Sequence, residues 1–529
     1  MMKEFFLLCL GLLVASIAEC QQSYKYRIWL KDKSQNIYSL ERPDEFLSTK
    51  SLQRRIRQGI EINESDLPVS RSYLETIKKT GCVPVVSSRW MNTVVVSVND
   101  TVCLSELRDL PFVKSVECVW NGKKSNSGKL LSPKQVESNS MWDNSDFGAS
   151  YEQLAMHRLD MLHLLGFRGE GMDIAVLDGG FSRVESSVFI DQEQLLGTMD
   201  FVHGKFSYSG SEHGAQVLSV MAADCAGTYV GSAPKANYWL AVTEDVESEY
   251  PVEEDYWVAG AEWADSIGVD LINSSLGYTL FDDEQMDYAW DDLDGNTAFI
   301  SKGAAMAAEK GICVVVAAGN EGMKIWQKIS VPADADGILA VGGVTKQGGR
   351  SQISSIGNTA DGRVKPDVMA TGENTYVVFD NDVVMNTGTS LATPIICGGA
   401  ACLWQAHPDW TVSQLIQAIR GSGSQAFNPD AYMGYGIPDF LAAHKGESSV
   451  DSSFLLPQLA TYSGGKLHFH QEYMEEAVVC VYSLAGQQLR TITLPMGIDV
   501  LDLLLEPGTY LLTVICSGRF EVQKFVINY

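Results

Sequence analysis

Met172-Asp173-Ile174-Ala175-Val176-Leu177-Asp178-Gly179-Gly180 is a near-continuous apolar run that ends on a carboxylate and a glycine turn. A strand that is apolar on both faces belongs inside a parallel sheet covered by helices; a strand wetted on one face would alternate. Two similar runs follow, Val269-Asp270-Leu271-Ile272-Asn273 and Gly311-Ile312-Cys313-Val314-Val315-Val316-Ala317. Helical patterns at residues 262–267, 304–310 and 391–406 supply the covering layers. Residues 150–447 are therefore expected to form an α/β domain with a doubly wound, mostly parallel sheet. Ligands gather at the carboxyl ends of such strands, where Asp178 falls.

The flanks read differently. In residues 21–120, Tyr24-Lys25-Tyr26-Arg27-Ile28-Trp29-Leu30 alternates as a half-buried strand. Helical patterns at 51–58, 72–80 and 104–110 and strands at 92–98 and 113–119 complete a small α+β unit. Residues 121–149 turn polar and lose periodicity, as an exposed and cleavable linker should. Residues 448–529 carry short strands between Gly and Pro turns, such as Val478-Val479-Cys480-Val481-Tyr482, and predict a small β-sandwich. At the front, Lys3, an apolar run over 5–17 and Ser16-Ile17-Ala18 make residues 1–20 a secretory leader. Ile17-Ala18-Glu19-Cys20 resembles a lipoprotein box, but Glu19 stands where a small residue is needed, so lipidation is the weaker reading. No later apolar run is long enough to span a membrane, so a secreted or cell-surface protein is expected.

The chain has 39 Lys and Arg against 66 Asp and Glu, a net charge of −27, which argues against a nucleic-acid partner. The charge is unevenly divided. Residues 21–134 carry +7 and residues 135–529 carry −33, so front and body should attract one another. The eleven cysteines form no spaced framework; Cys313, Cys397 and Cys402 sit in apolar runs as core residues. Pairings Cys82–Cys103 and Cys103–Cys118 are both open.

Four polar positions interrupt the apolar pattern of the central domain. Gly388-Thr389-Ser390-Leu391-Ala392-Thr393-Pro394 places Ser390 at a helix N-terminus, where backbone N–H groups and the dipole favour a developing oxyanion. Ser211-Glu212-His213-Gly214-Ala215-Gln216 opens another helix with His213, a group able to take and return a proton near neutrality. Asp178 can fix an imidazole tautomer from its strand end. In Val316-Ala317-Ala318-Gly319-Asn320-Glu321, Asn320 closes a further strand with an amide donor. Singly, these are an N-cap, a surface histidine and two turns.

Together and in order, Asp178, His213, Asn320 and Ser390 at separations of 35, 107 and 70 resemble the subtilisin-like serine peptidases. Val230-Gly-Ser-Ala-Pro-Lys-Ala236, Val269 to Gly277, Val364-Lys-Pro-Asp-Val368 and Gly434-Tyr-Gly-Ile-Pro438 look like further landmarks of that family. The resemblance implies a serine endopeptidase acting through an acyl-enzyme. Ser390 would be the nucleophile, His213 the base and then acid, Asp178 the orienting carboxylate and Asn320 an oxyanion donor. Ser275-Leu276-Gly277 and Ala317-Ala318-Gly319 would flank a polypeptide substrate. Two departures stand out. Ala215-Gln216 replaces the Thr-His that usually follows His-Gly, and residues 281–296 form an acidic insertion expected to be a solvated loop. Relatives often bind calcium, but Asp292-Leu293-Asp294-Gly295 lacks the glutamate that closes an EF-hand loop, so no cofactor or metal is expected to be required. Residues 21–120 resemble the inhibitor-like propeptides of such enzymes, which makes the chain a zymogen with its own front domain as partner. The C-terminal segment, through Val481-Tyr482-Ser-Leu-Ala-Gly486, Gly508-Thr-Tyr510 and Lys524-Phe-Val-Ile527, resembles sorting domains of type IX secretion in Bacteroidetes, which implies an outer-membrane export machinery as partner. The rival reading is a catalytically silent surface protein that binds through the same scaffold.

Overall fold

The computed structural model describes residues 24–99, 101, 103–122, 136–137, 146–446 and most of 460–527. The leader read at residues 1–20 and most of the 121–149 linker lie outside the described residues. At the centre is a seven-stranded sheet in the order Val368–Thr371, Leu339–Val344, Cys313–Ala317, Leu271–Ser274, Asp173–Asp178, Asn237–Val242, Leu195–Asp200. Every pairing in it is parallel.

The pleat explains why these strands read as unbroken apolar runs. In Asp173–Asp178, Ile174 and Val176 pack with Val217 and Val220 of helix His213–Ala222 and Ile395 and Ile396 of helix Thr389–Ala406. Ala175 and Leu177 point the other way, against Val258 and Ala261 of helix Val252–Ile267 and Ile300 and Ala304 of helix Phe299–Glu309. Both faces are covered, so each buried Val, Leu or Ile contributes about 1.5–3 kcal/mol of burial.

The sequence places one covering helix over 262–267, yet it starts ten residues earlier, at Val252. Its first turn, Glu253-Glu254-Asp255, reads as polar surface but is buried. Each acid has a partner there. Glu253 accepts the N–H groups of Asp245 and Tyr250, and Glu254 accepts the Tyr288 hydroxyl and the Ile300 N–H. Carboxylates at a helix N-terminus also meet the positive end of its dipole.

The acidic insertion is likewise not a free loop. Phe281 and Leu293 are buried. Asp283, Asp287, Asp292 and Asp294 accept backbone N–H groups of Gln285, Phe281, Ala289 and Asn296 respectively. The charges are spent as local turn caps, which sequence composition alone does not show.

The front domain is a four-stranded antiparallel sheet in the order Val83–Ser88, Thr93–Val98, Tyr24–Leu30, Val113–Trp120. Val94, Val96 and Val98 face its own core with Ile28, Tyr73, Ile77 and Leu107. Val95 and Val119 face outward onto Tyr250, Val252 and Tyr256 of the central domain. The sulfurs of Cys82 and Cys103 stand 2.9 Å apart, whereas Cys118 turns to the Trp120 carbonyl. Residues 450–529 make a separate compact unit of two antiparallel sheets, with three and four strands. Leu467, Val479, Val481 and Leu503 are buried in that unit. Among the described residues no helix is long and apolar enough to cross a membrane.

Candidate active site

Two strand ends and two helix N-termini bring the four polar residues to one rim. Asp178 is the last residue of its strand and is fully buried. Its carboxylate accepts the Gly179 N–H at 2.7 Å and faces His213 Nδ1 at 2.9 and 3.0 Å. That contact fixes the tautomer: Nδ1 carries the hydrogen, and Nε2 is left as the basic nitrogen. Burial pushes the Asp178 carboxyl above its usual range, and the adjacent imidazole opposes the shift.

His213 is the first residue of its helix, with one third of its side chain exposed. The helix comes this close because the next residue is Gly214. A Cβ there would lie 2.4 Å from the Gly180 carbonyl and 2.9 Å from Asp178 Cβ.

On the adjoining strand Ser274 is in register with Leu177, so Ser275 stands beside Asp178 across the pair. Ser275 and Ser390 exchange two bonds: Ser390 Oγ donates to the Ser275 carbonyl at 3.2 Å, and Ser275 Oγ donates to the Ser390 carbonyl at 2.8 Å. The serine helix is thereby fastened to the strand next to the one bearing Asp178. Strands in a sheet lie about 4.8 Å apart, so imidazole and hydroxyl are held at the same edge.

One strand further over, Ser274 is in register with Val316, three residues before Gly319. Gly319 has φ of +107°, and a Cβ there would run into the Ser330 and Ser355 hydroxyls. Asn320 follows. Its Oδ1 accepts the Thr389 N–H at 2.9 Å and the Thr389 hydroxyl at 3.0 Å. An amide whose oxygen is tied down in this way turns its Nδ2 donor outward. The Ser390 N–H lies in the first turn of its helix, where the helical ladder supplies no acceptor. A carbonyl attacked by Ser390 can thus meet two donors as its oxygen becomes anionic.

The expected cleft walls are less uniform. Ser275, Leu276, Ala317 and Ala318 are buried, while Gly277 is open. The Ala318 N–H is given to Val341 and its carbonyl to Ser330, so that residue serves internal packing first. The Ser275 carbonyl and the close packing at Gly214 are parts of the site that the sequence did not single out, and Gln216, noted there only as a departure, is buried beside it. Among the described residues no group of three His, Cys, Asp or Glu side chains is arranged to hold a metal ion.

Residues 169–436 match the Subtilase family, and residues 25–137 match the Peptidase S8 propeptide domain of Bacteroidota. This chain belongs to the subtilase family. Subtilisin DY of Bacillus licheniformis is 28% identical over 290 residues, covering 54% of this chain and 95% of that protein. Subtilisin E of Bacillus subtilis is 29% identical over 288 residues, 53% of this chain and 68% of its own length. Subtilisin Savinase of Lederbergia lenta is 27% identical over 285 residues, covering 53% and 93%. The subtilase is a serine endopeptidase made as a zymogen, with its propeptide domain still seated on helix Val252–Ile267.

Proposed function

We propose that Ser390, His213, Asp178 and Asn320 carry out peptide-bond hydrolysis in this subtilase, and that it works outside the cell that makes it. The Asp178–His213 contact at the carboxyl edge of the parallel sheet carries the assignment of roles. The Ser390 hydroxyl rotates from the Ser275 carbonyl toward the imidazole and attacks the scissile carbonyl carbon. Its proton passes to Nε2 of His213, while Asp178 stabilises the imidazolium. The tetrahedral oxyanion takes hydrogen bonds from Asn320 Nδ2 and the Ser390 N–H. Collapse breaks the C–N bond, and the imidazolium proton leaves with the amine. Water then repeats the sequence on the acyl-enzyme. Every group used is part of the chain, so we take no cofactor to be required, and activity should survive chelation by EDTA.

Residues 21–120 would hold the enzyme silent until a cut within the 121–149 linker frees them. Export is supported by the leader composition of residues 1–20, and delivery through an outer-membrane machinery by the motifs of the C-terminal unit. A fluorophosphonate probe should label the processed protein and fail to label the Ser390→Ala variant. No labelling of folded, processed wild type would turn the reading toward a silent binding scaffold. N-terminal sequencing of the secreted product would locate the cut.

A further inference from the structure

The position of the replaced histidine, Gln216, lies one turn beyond His213 and is 2% exposed. A buried primary amide needs partners on both its ends. Gln216 Oε1 accepts from Asn386 Nδ2 at 2.9 Å, and its Nε2 donates to Glu212 Oε1 at 3.2 Å. The direction of both bonds is forced by their surroundings. The Glu212 carboxylate can only accept, and Asn386 Oδ1 points at the Thr387 N–H at 2.8 Å, which turns the Asn386 NH2 group to Gln216. Gln216 must answer with oxygen, and its remaining nitrogen meets the Glu212 carboxylate.

This relay joins the two halves of the catalytic apparatus. Glu212 immediately precedes His213. Asn386 ends the strand Asp382–Asn386 and stands four residues before Ser390. Between them, Thr387 Oγ1 accepts the Asn374 N–H and the Gly388 N–H is bound to the Gly372 carbonyl, so the connection from Asn386 to the serine is held at each step. One turn further along the histidine helix, Ser219 Oγ accepts the Val378 N–H and donates to the Gln216 carbonyl. The helix that carries the base is therefore fastened through two side chains to the hairpin of strands Thr375–Phe379 and Asp382–Asn386 that feeds the nucleophile, and Gln216 is the nearer to the chemistry.

We propose that Gln216, with Asn386, is a positioning residue that sets the placement of His213 relative to Ser390. It touches no substrate and transfers no proton. Its effect is on alignment, where a displacement of about 1 Å costs on the order of 100-fold in rate.

The test uses the full chain, left to process itself, with active enzyme counted by fluorophosphonate titration so that losses of folded protein do not register. Gln216→Leu should lower kcat by about 10- to 100-fold with KM within about twofold, since binding groups are untouched. Gln216→His should restore most of kcat, because an imidazole also offers one acceptor and one donor. Should Gln216→Leu fail to fold or mature, Asn386→Ala removes the same bond from the other side and should show the same fall in kcat. Titrated Gln216→Leu or Asn386→Ala enzyme with wild-type kcat, or with a change confined to KM, would overturn the proposal. So would a Gln216→His variant no better than Gln216→Leu. A chain that matures normally and cleaves short peptides answers this question independently of whether the assigned nucleophile is right, which the Ser390→Ala labelling settles separately.

Discussion

Gly214 carries no side chain because none fits between the histidine helix and the turn after Asp178. The nearest obstacles to an added Cβ are a backbone carbonyl and the Asp178 side chain, neither of which can swing aside. Gly214→Ala should therefore shift the helix outward, lengthen the 2.9 Å contact and reduce kcat by about 100-fold, read as turnover per titrated active site; unchanged turnover would show that the helix is not packed as described. A second pair of residues contributes to the acid response. His157 Nδ1 donates to the Pro438 carbonyl and His163 Nε2 to the Ser232 carbonyl. The other ring nitrogen of each has no partner among the described residues. Burial pulls both imidazoles down to about 4. Since both values lie below that of the open chain, unfolding takes up protons in acid. The stability these rings contribute is complete above about pH 6.5 and falls as pH drops toward about 4, by at most about 3 kcal/mol each. On a Ser390→Ala background, which prevents self-digestion, Tm should fall across that interval. His163→Gln, which keeps a donor for Ser232, should flatten the fall; identical slopes would remove His163 from the account. Asp178, His213, Asn320 and Ser390 were legible because each interrupts or closes an apolar run. The close packing of Gly214, the bonds of Gln216 and the Ser275 carbonyl were not, because they arise only when separate segments of the chain meet.

Helix Val252–Ile267 shows how an element can be misread when its partners lie elsewhere in the chain. Five acids and no base lie along it, a composition that suggests a wet surface. The counter-charges come from the front domain. Arg54, Arg55 and Arg89 all donate to Asp265, and Arg27 forms a two-pronged pair with Asp255 while stacking on Phe299. Glu262 accepts the Ser88 hydroxyl and the N–H groups of Arg89 and Trp90. Three guanidiniums around one fully buried carboxylate form a site that tolerates loss of its centre badly, because the arginines would stay buried without a counter-ion. Asp265→Ala should destabilise the precursor by about 3–5 kcal/mol and lower its Tm by several degrees on the Ser390→Ala background. A change of less than about a degree would mean that solvent replaces the carboxylate at little cost. The helices Thr49–Gln58 and Arg71–Lys79 were readable almost to the residue, since their caps and periodicity are local. The acidic helix was not, since its first turn is buried by Arg27 of the front domain and by the segments around Tyr250, Tyr288 and Ile300.

The division of charge between front and body, visible from composition, becomes a division of labour across the interface. Helix Thr49–Gln58 reaches the amino-terminal end of the catalytic sheet, the edge opposite the active site. Lys50 pairs with Asp173 at 2.9 Å and Asp270 at 3.2 Å, and Arg57 with Asp270 at 3.4 Å. Arg54 donates to the carbonyls of Val269 and Lys310, and Gln58 bridges the Gly311 carbonyl to the Val412 N–H. The propeptide is thus held at two ends of the catalytic domain, and only one end is near the cleft. The two kinds of ion pair in this grip differ in their response to salt. The arginines on Asp265 are buried and little screened, whereas the Lys50 and Arg57 side chains are 38% exposed and within reach of counter-ions. Two or three such pairs are worth roughly 1 kcal/mol together, about fivefold in a dissociation equilibrium. After the linker is cut, the delay before peptidase activity appears should shorten by about that factor between roughly 0.05 and 0.5 M NaCl, with cutting followed by electrophoresis and activity by a short chromogenic peptide. The Lys50→Ala/Arg57→Ala double variant should show the shortened delay already at low salt and respond weakly to more. Equal delays at both salt concentrations, in wild type and variant alike, would mean that the apolar contacts of Val95 and Val119 and the buried arginines hold the propeptide without help from the distal helix.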